Sequence, residues 1–347
     1  MTEYLERIGS GYRHDLWMVR VVDGGFGQAQ IYDGSDRDWE SEVERDTLPW
    51  LGFSHERVIP LLGVSSTHER LVIVHGDERG PSIVKMAGLM GDTAERTRWA
   101  AEQIAGIAEA VAMMAWRQPG FIHLRACPEH IVVGVDGQAR LRAAVAFVAW
   151  GKPGTYTGRG NSLKKTVRYM APEQVVGQPP TVATDVHSLA STLYGALTGR
   201  APFHRETEID TIMAIRDGVP PAPPAGASPA LVDVIMRSLA VDPARRPRDP
   251  ATFAAELRRA MPEPLAPELL AKVALLRPDA RPAPHASELI VGNRCAKQWD
   301  ELTQTPTQGV RHCAQCQHDV VQVRSLAALV PLLGRRCVSY KPDDGAS

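Results

Sequence analysis

The sequence lacks a long apolar run, an imbalance of charge and, over most of its length, cysteine. No apolar stretch in the 347 residues approaches the ~18 residues of a membrane span, and the N-terminal segment MTEYLERIGSGYRHD has no apolar core for a secretion signal. Lys+Arg 39 against Asp+Glu 40 gives a net charge of -1, which does not favour nucleic acid or an anionic membrane. We therefore expect a cytoplasmic protein without nucleic-acid or membrane partners.

The composition is that of a folded globular protein. Hydrophobic residues make up 44% and charged residues 23% of the chain, which excludes disorder throughout. Prolines accumulate between residues 262 and 287, around the short apolar segment LLAKVALLR. This shift predicts a domain over residues 1–261, a proline-rich linker with a short helix over 262–287, and a small module over 288–347.

Four of the five cysteines lie in this last module, at Cys295, Cys313, Cys316 and Cys337. One C-x-x-C pair and two single cysteines supply the four thiolates of a tetrahedral Zn²⁺ site, and a reducing compartment favours a metal over disulfides. Because so small a module buries little core, we expect a structural zinc ion. A thiol redox switch and cysteines without a metal are alternatives. Another is replacement of one thiolate by His312 or His318.

Four segments carry the main motifs of the chain. Residues 121–133 read FIHLRACPEHIVV, residues 166–174 TVRYMAPEQ, residues 184–203 TDVHSLASTLYGALTGRAPF and residues 242–247 DPARRP. In this order they resemble the catalytic loop, the end of the activation segment, a central helix and the turn before the last helix of bacterial Hanks-type Ser/Thr protein kinases. The resemblance implies the two-lobed α+β kinase fold over residues 1–261, with a β-rich N-lobe and a helical C-lobe.

Local patterns agree with this fold. Between Thr93 and Trp116 apolar residues recur at steps of three and four, which predicts one buried helical face formed by Ile104, Ile107, Val111 and Met114. We expect the methionines of this segment and Trp116 to lie in the core. Asp136-Gly137 predicts a hairpin turn, and Asp249 with Pro250 predicts the start of the last helix.

The resemblance assigns three residues to the scaffold of the C-lobe. In the family, the glutamate of A-P-E pairs with the arginine before the last helix, and the aspartate that begins the central helix holds the backbone of the catalytic loop. At the matching positions stand Glu173, Arg246 and Asp185. Breaking a buried ion pair typically costs about 3–5 kcal/mol, so we expect an intact scaffold.

The positions that carry chemistry in the family are substituted. No lysine occurs before residue 83, and Tyr32 is the best match for the lysine that binds the phosphates. The other substitutions are Arg125 for the catalytic aspartate, Cys127 for lysine, His130 for the metal-binding asparagine and Ala143 for the metal-binding aspartate. Neither Arg125 nor Ala143 binds Mg²⁺, and His130 is a poor ligand for it. These substitutions predict a pseudokinase for which ATP and Mg²⁺ are doubtful.

Two glycine-rich segments compete as the nucleotide loop. We favour IGSG, with Gly9 and Gly11, over GGFG at residues 24–27, because the first leaves room for three strands before the next helix. The DGGFG segment is then a hairpin turn. IGSG lacks the third glycine of G-x-G-x-x-G, so it is a weak nucleotide loop.

Two functional hypotheses follow. The first is a catalytically inactive regulatory scaffold in bacterial signalling that acts through protein partners, a kinase or another signalling protein among them. The alternative is an atypical ATP-dependent Ser/Thr kinase or transferase with relocated catalytic residues, for which Asp33, Asp36 and Asp136 are the nearby acids. A nucleotide bound without metal as a structural ligand is a third possibility. The activation segment, residues 146–165, could also accept a phosphate from another kinase.

Overall fold

A computed structural model describes most of the chain between residues 50 and 277 and shorter pieces on either side. The described residues are 3–11, 14–20, 26–33, 50–51, 53–66, 70–76, 80–142, 167–219, 221–277, 281–282, 289–291, 302–308, 310–314, 318–323 and 337–340. Ala143, the activation segment, Asp36, Cys295 and Cys316 lie outside them.

The N-terminal part forms a five-stranded antiparallel sheet in the order β1-β2-β3-β6-β5. Its strands are β1 (Glu3–Gly11), β2 (His14–Arg20), β3 (Phe26–Asp33), β5 (Leu61–Ser66) and β6 (Arg70–Gly76). Gly9 and Gly11 lie at the end of β1, where Gly11 pairs with His14 of β2. Tyr32 lies in β3 between His14 and Leu71 of the neighbouring strands. The sheet agrees with the β-rich N-lobe that the resemblance implies.

Helices dominate the chain after residue 82. They are α1 (Ile83–Leu89), α2 (Thr93–Arg117), α3 (Pro172–Val175), α4 (Val182–Thr198), α5 (Glu208–Asp217), α6 (Pro229–Ser238), a 3₁₀ turn (Pro243–Arg245), α7 (Pro250–Ala260) and α8 (Pro267–Leu275). Helix α4 is buried from Ala183 to Leu197 and packs against α1, α2, α6 and α7. It is the central element of the helical core.

Helix α2 confirms the predicted helix and corrects part of the predicted core. Asp92 caps it, its side chain accepting a hydrogen bond from the Glu95 N–H at 2.8 Å. All four residues of the predicted apolar stripe are buried. However, Trp116 is 84% and Met113 is 45% exposed, so their assignment to the core was wrong. These two residues share a face of the last turn that the core does not cover, whereas Met114 is buried.

A small sheet of three strands supports the 121–130 loop. Its strands are β4 (Val58–Ile59), β7 (Ile131–Val133) and β8 (Ala139–Arg142), in the order β4-β8-β7. The turn between β7 and β8 falls at the predicted Asp136-Gly137 pair, where Gly137 has a φ of 74°. A side chain on Gly137 would also meet the carbonyl oxygen of Leu270 at 2.3 Å, so the turn requires glycine.

Helix α8 lies against this turn and against α2. Leu269, Ala271, Val273 and Ala274 are buried on one side of it. Just after the helix, the buried Arg277 donates a hydrogen bond from Nη1 to the carbonyl oxygen of Val133 in β7 at 3.1 Å. This helix, which the sequence predicts within a linker, therefore packs on the preceding domain. The predicted domain boundaries stay predictions.

The C-terminal part contains a second sheet. Its strands are β9 (Arg281–Pro282), β10 (Leu289–Val291), β11 (Thr303–Gln304), β12 (Val310–Cys313), β13 (His318–Val323) and β14 (Cys337–Tyr340), in the order β11-β12-β13-β14-β10-β9. Strands β13 and β14 are parallel and the other pairs are antiparallel. Across the parts of the chain that the structure describes, no helix is long and apolar enough to cross a bilayer.

Candidate active site

Asp185 of α4 holds the backbone of the loop of residues 121–130 by two hydrogen bonds. The two carboxylate oxygens accept hydrogen bonds from the backbone N–H groups of His123 and Leu124, both at 2.7 Å. Leu124 takes a φ of 64°, a strained value for a leucine. Burial raises the pKa of Asp185 to about 7, although the two hydrogen bonds act in the opposite direction. Asp185 therefore fixes the backbone from which the following residues of the loop project.

A buried ion pair joins the two other residues that the resemblance assigns to the scaffold. Arg246 donates to both carboxylate oxygens of Glu173 at 2.8 Å, and the Thr184 hydroxyl donates to Oε1 at 2.7 Å. Burial alone would raise the pKa of Glu173, but the hydrogen bonds from Arg246 and Thr184 lower it below its usual value. The pair connects α3 to the turn before α7.

The loop places Arg125, Cys127 and His130 close together through its own backbone. The Cys127 N–H donates to the Arg125 carbonyl at 2.8 Å, and the His130 N–H donates to the Cys127 carbonyl at 2.9 Å. Burial and the nearby Glu129 carboxylate raise the pKa of the Cys127 thiol well above its usual value. Cys127 is therefore a buried neutral thiol rather than a thiolate nucleophile.

Glu129 is the carboxylate of this loop. Its negative charge lies close enough to the Cys127 thiol to raise the pKa of that thiol. Its Oε2 atom is buried and accepts no hydrogen bond from any residue that the structure describes. The pKa of the Tyr169 hydroxyl is raised, first by burial and then by the negative charge of Glu129. Glu129 is thus a half-buried acid with one buried acceptor atom that no described residue uses, which is rare in folded proteins and calls for an explanation.

Two further groups adjoin the loop. The Arg142 N–H at the end of β8 donates to the His130 carbonyl at 2.8 Å, and the Arg142 carbonyl lies 3.3 Å from Nε2 of His123. Burial, helped by the charge of Arg142, lowers the pKa of His75 in β6 to about 3. Burial and then the charge of Arg125 lower the pKa of His130 well below its usual value. Both histidines are therefore neutral at pH 7.

Of the three acids that the sequence offers as relocated catalytic groups, Asp136 is the one whose side chain the structure describes. Asp136 is bound by Arg140, which donates from Nη1 to Oδ1 at 2.9 Å and from Nη2 to Oδ2. Asp33 ends β3, and only its backbone is described. Asp36 and Ala143 lie outside the described residues. Of the carboxylates that are described, Glu129 is the one that the loop itself supplies.

Together, the five-stranded sheet, the helical core and the loop held by the central helix define a two-lobed protein of the kinase class. The sequence profile of the family described as "Protein tyrosine and serine/threonine kinase" matches residues 33–253. The chain belongs to this protein kinase family.

Similar proteins from Corynebacterium, Streptomyces and Mycobacterium carry kinase names. The chain is 29% identical over 194 residues to "Serine/threonine-protein kinases drp72" of Corynebacterium efficiens, which is 54% of this chain and 35% of that protein. It is 34% identical over 161 residues to the serine/threonine-protein kinase AfsK of Streptomyces griseus, with 45% and 18% covered. It is 31% identical over 137 residues to the serine/threonine-protein kinase PknA of Mycobacterium tuberculosis, with 39% and 31% covered. The chain thus spans about a third or less of the length of these relatives.

These findings correct the prediction that the chain is not an enzyme. The family and the named kinases point to a phosphotransferase, so the prediction of a pseudokinase without activity was wrong. It relied on the residues that occupy the family's positions and gave no weight to other acids in the loop. The backbone of the loop that carries those positions is held in place by Asp185. The same loop carries Glu129 beside the substituted residues.

The cofactor prediction was also wrong. Kinases of this family use ATP with Mg²⁺, which our prediction treated as doubtful. The predicted zinc ion is unsupported, because no group of three or more His, Cys, Asp or Glu side chains among the described residues could hold a metal ion. Cys313 and Cys337 lie at the ends of β12 and β14, and the structure describes only their backbone.

The residues at the family's metal positions do not fit Mg²⁺. The loop supplies His130, a neutral nitrogen ligand, where the family supplies an amide oxygen, and Arg125 adds a positive charge nearby. Ala143 has no ligand atom to offer in its side chain. The described residues therefore provide none of the family's oxygen ligands for the metal.

Glu129, His75 and Arg142 were not among the predicted site residues. Glu129 belongs to the P-E pair that the loop retains, but the sequence does not show that one of its oxygens is buried without a partner. Arg142 directly precedes Ala143, which could have drawn attention to it. His75 gave no signal, because its position near the loop depends on how the two sheets meet.

Proposed function

We propose that the chain is an atypical ATP-dependent protein kinase, or a related phosphotransferase, in which Glu129 replaces the catalytic aspartate. The observation that carries the proposal is the buried, unpartnered Oε2 of Glu129 in a loop that Asp185 holds in place. Membership of the kinase family supports the reaction class, and the relatives named as serine/threonine-protein kinases support Ser/Thr as the acceptor type.

Glu129 would orient the hydroxyl of the substrate. In the family this task belongs to an aspartate of the same loop, and a carboxylate does it by accepting the hydrogen bond of the attacking hydroxyl. Arg125, which occupies the family position, has no acceptor atom. Oε2 of Glu129 has both the acceptor capacity and no competing bond from the described residues.

A protein is the substrate that fits this proposal. The segment after Val167 contains Tyr169, whose ring packs with Cys127 and Ala201 beside the loop. In a kinase the end of the activation segment adjoins the substrate peptide. Glu129 would therefore lie near the hydroxyl of a bound peptide. A signalling protein that carries an exposed serine or threonine is the expected partner.

Transfer of phosphate from ATP tests this function. The whole chain is incubated with ATP labelled at the γ-phosphate, with Mg²⁺ or Mn²⁺, and with a mixture of unphosphorylated proteins. We expect label on serine or threonine of the chain itself or of an added protein. Mass spectrometry of the labelled peptides identifies the acceptor residues.

Two controls make the outcome decisive. ATP labelled at the α-phosphate must leave no label, because transfer of the γ-phosphoryl group would not carry it. An active bacterial Ser/Thr kinase in the same mixture shows that acceptors are present. If that kinase labels the mixture and the chain labels nothing with either metal, the proposed function is wrong.

A further inference from the structure

A second residue of α4 contacts the loop of residues 121–130. The Thr192 hydroxyl donates a hydrogen bond to the carbonyl oxygen of Ala126 at 2.9 Å, and both residues are fully buried. Among the described residues, no other group donates to this carbonyl. A threonine within a helix commonly donates to its own helix four residues back, as Thr198 does to the Tyr194 carbonyl. The bond from Thr192 is instead a specific connection between the helix and the loop.

Asp185 and Thr192 hold successive parts of the loop. Asp185 accepts hydrogen bonds from the N–H groups of His123 and Leu124, and Thr192 donates to the carbonyl of Ala126. The two side chains are seven positions apart in α4, which is about two turns and about 10 Å along the helix. One helix face therefore provides two anchors of the loop, one at its start and one in its middle.

The two anchors hold the chain on either side of a strained residue. Leu124 has a φ of 64°, in the left-handed region that a leucine rarely adopts. Such a conformation persists only where the surrounding contacts determine it. Asp185 binds the backbone up to Leu124, and Thr192 binds the backbone beyond it. Loss of the Thr192 bond would therefore let the chain after Leu124 relax.

The part of the loop after Ala126 carries Glu129. Cys127 follows Ala126 directly and is 2% exposed. Its carbonyl accepts a hydrogen bond from the His130 N–H at 2.9 Å, which closes the turn that contains Glu129. A displacement of the Ala126 carbonyl is therefore passed to Glu129 through one short turn.

We propose that Thr192 is a positioning residue for phosphate transfer, whose hydroxyl holds the Ala126 carbonyl and thereby sets the direction in which Glu129 faces the substrate. Because Thr192 is fully buried, it acts through the backbone of the loop and not by contact with the substrate. A displacement of about 1 Å at a reacting group can lower a rate by about a hundredfold, so one backbone contact is enough to affect the reaction. The proposal rests on the proposed function, because it concerns the same reaction.

The reactivity of the Cys127 thiol reports on the Thr192 anchor without any need for activity. A buried thiol reacts only when its surroundings open. The folded whole chain is treated with iodoacetamide, and mass spectrometry of its peptides gives the labelling rate of Cys127 separately from that of the other cysteines. Thr192→Val removes the hydroxyl at nearly constant volume. It should label Cys127 about tenfold faster than the wild type, the effect expected for one buried hydrogen bond.

Two further variants show whether the hydroxyl itself is responsible. Thr192→Ser keeps the hydroxyl and should label Cys127 within about threefold of the wild-type rate. The matched control is Ser238→Ala, because Ser238 is equally buried and its hydroxyl donates to the Val234 carbonyl within α6 at 2.7 Å. It should label within about twofold of the wild type. Equal labelling of Cys127 in the wild type and in Thr192→Val overturns the proposal.

The kinetics of γ-phosphate transfer test the positioning role. Thr192→Val should lower kcat about tenfold or more and leave the KM for ATP within about twofold, because the anchor orients Glu129 and not the nucleotide. Thr192→Ser should restore most of the rate, whereas Ser238→Ala should keep the wild-type rate. An unchanged kcat in folded Thr192→Val also overturns the proposal, since the bond would then serve the fold alone.

Failure of this inference and failure of the proposed function are distinguishable. A wild type that transfers no phosphate refutes the proposed function, and the labelling rates of Cys127 still decide whether Thr192 holds the loop. Transfer that Thr192→Val does not slow leaves the proposed function standing and refutes the positioning role. If the valine variant does not fold, Thr192→Ala takes its place, because it differs from Thr192→Ser only by the hydroxyl.

Discussion

At the scale of single residues, the buried ion pair between Glu173 and Arg246 is a contact whose loss should strongly lower the stability of the fold. Its two side chains are 5% and 0% exposed, and Arg246 also donates to three backbone carbonyls, those of Ala183, Ala240 and Val241. Loss of either partner leaves a charge in a site that water does not reach. The surrounding hydrogen bonds cannot replace the lost partner, because backbone carbonyls carry no negative charge.

Glu173→Gln should destabilise the protein by about 3–5 kcal/mol, because it leaves the buried guanidinium without its counter-charge. The matched control is Glu256→Gln, which removes a partner of the exposed Arg237 and should cost at most about 1 kcal/mol. Urea denaturation of both variants measures the difference. Equal losses in the two variants would show that the Glu173 pair is not a buried ion pair.

His187 should make the protein less stable in acid. Burial lowers its pKa from 6.5 to about 3, and its ring stacks on Phe203 with the centroids 5.9 Å apart. Between these pKa values the unfolded chain binds a proton that the folded chain does not. The free energy of unfolding therefore falls as the pH falls from 6.5 towards 3.

The variant His187→Gln should lose the part of this pH dependence that His187 contributes, while the other buried histidines keep theirs. Between pH 6 and 4 the difference in free energy of unfolding between wild type and variant should change by about 1.4 kcal/mol per pH unit. Urea denaturation at several pH values measures that difference, and the absolute stability of the variant does not affect the slope. A difference that is constant across these pH values contradicts a depressed pKa.

At the scale of elements, periodicity and capping predict the individual helices well. Helix α2 and helix α7 begin at capping aspartates, Asp92 and Asp249, and both bury the expected apolar residues. Docking is harder to predict. Prolines around residues 262–287 indicate a linker, yet α8 packs through one buried side, because contacts between distant segments leave no local pattern. Trp116 is a different case, because it lies off the buried stripe of α2 and its exposure agrees with the helical periodicity.

The packing of α8 predicts a difference between two leucines of one segment. Leu269 is 5% exposed and Leu276, just after the helix, is 42% exposed. Leu269→Ala should cost about 2–5 kcal/mol because it leaves a cavity, whereas Leu276→Ala should cost within about 1 kcal/mol. Chemical denaturation of both variants measures these losses. Similar small losses would mean that α8 is not docked on α2 and the β7–β8 turn.

At the scale of the whole molecule, motifs and their order predict the kinase fold, and the family comparison agrees. The same motifs misled the prediction of function, because they show which family residues are replaced and not which other groups stand beside them. The loop of Arg125, Cys127 and His130 also contains Glu129, and only its three-dimensional surroundings reveal a buried oxygen without a partner. A sequence pattern records positions, whereas chemistry depends on the acceptors and charges that meet in space.

The most direct test of the central claim is the rate of γ-phosphate transfer from saturating ATP in the wild type and in Glu129→Gln. If Glu129 orients the substrate hydroxyl, the variant should be slower by about 10²–10⁴, the usual effect of losing such a group. The control Glu256→Gln should keep the wild-type rate. A Glu129→Gln protein that is folded and transfers phosphate as fast as the wild type would contradict the account.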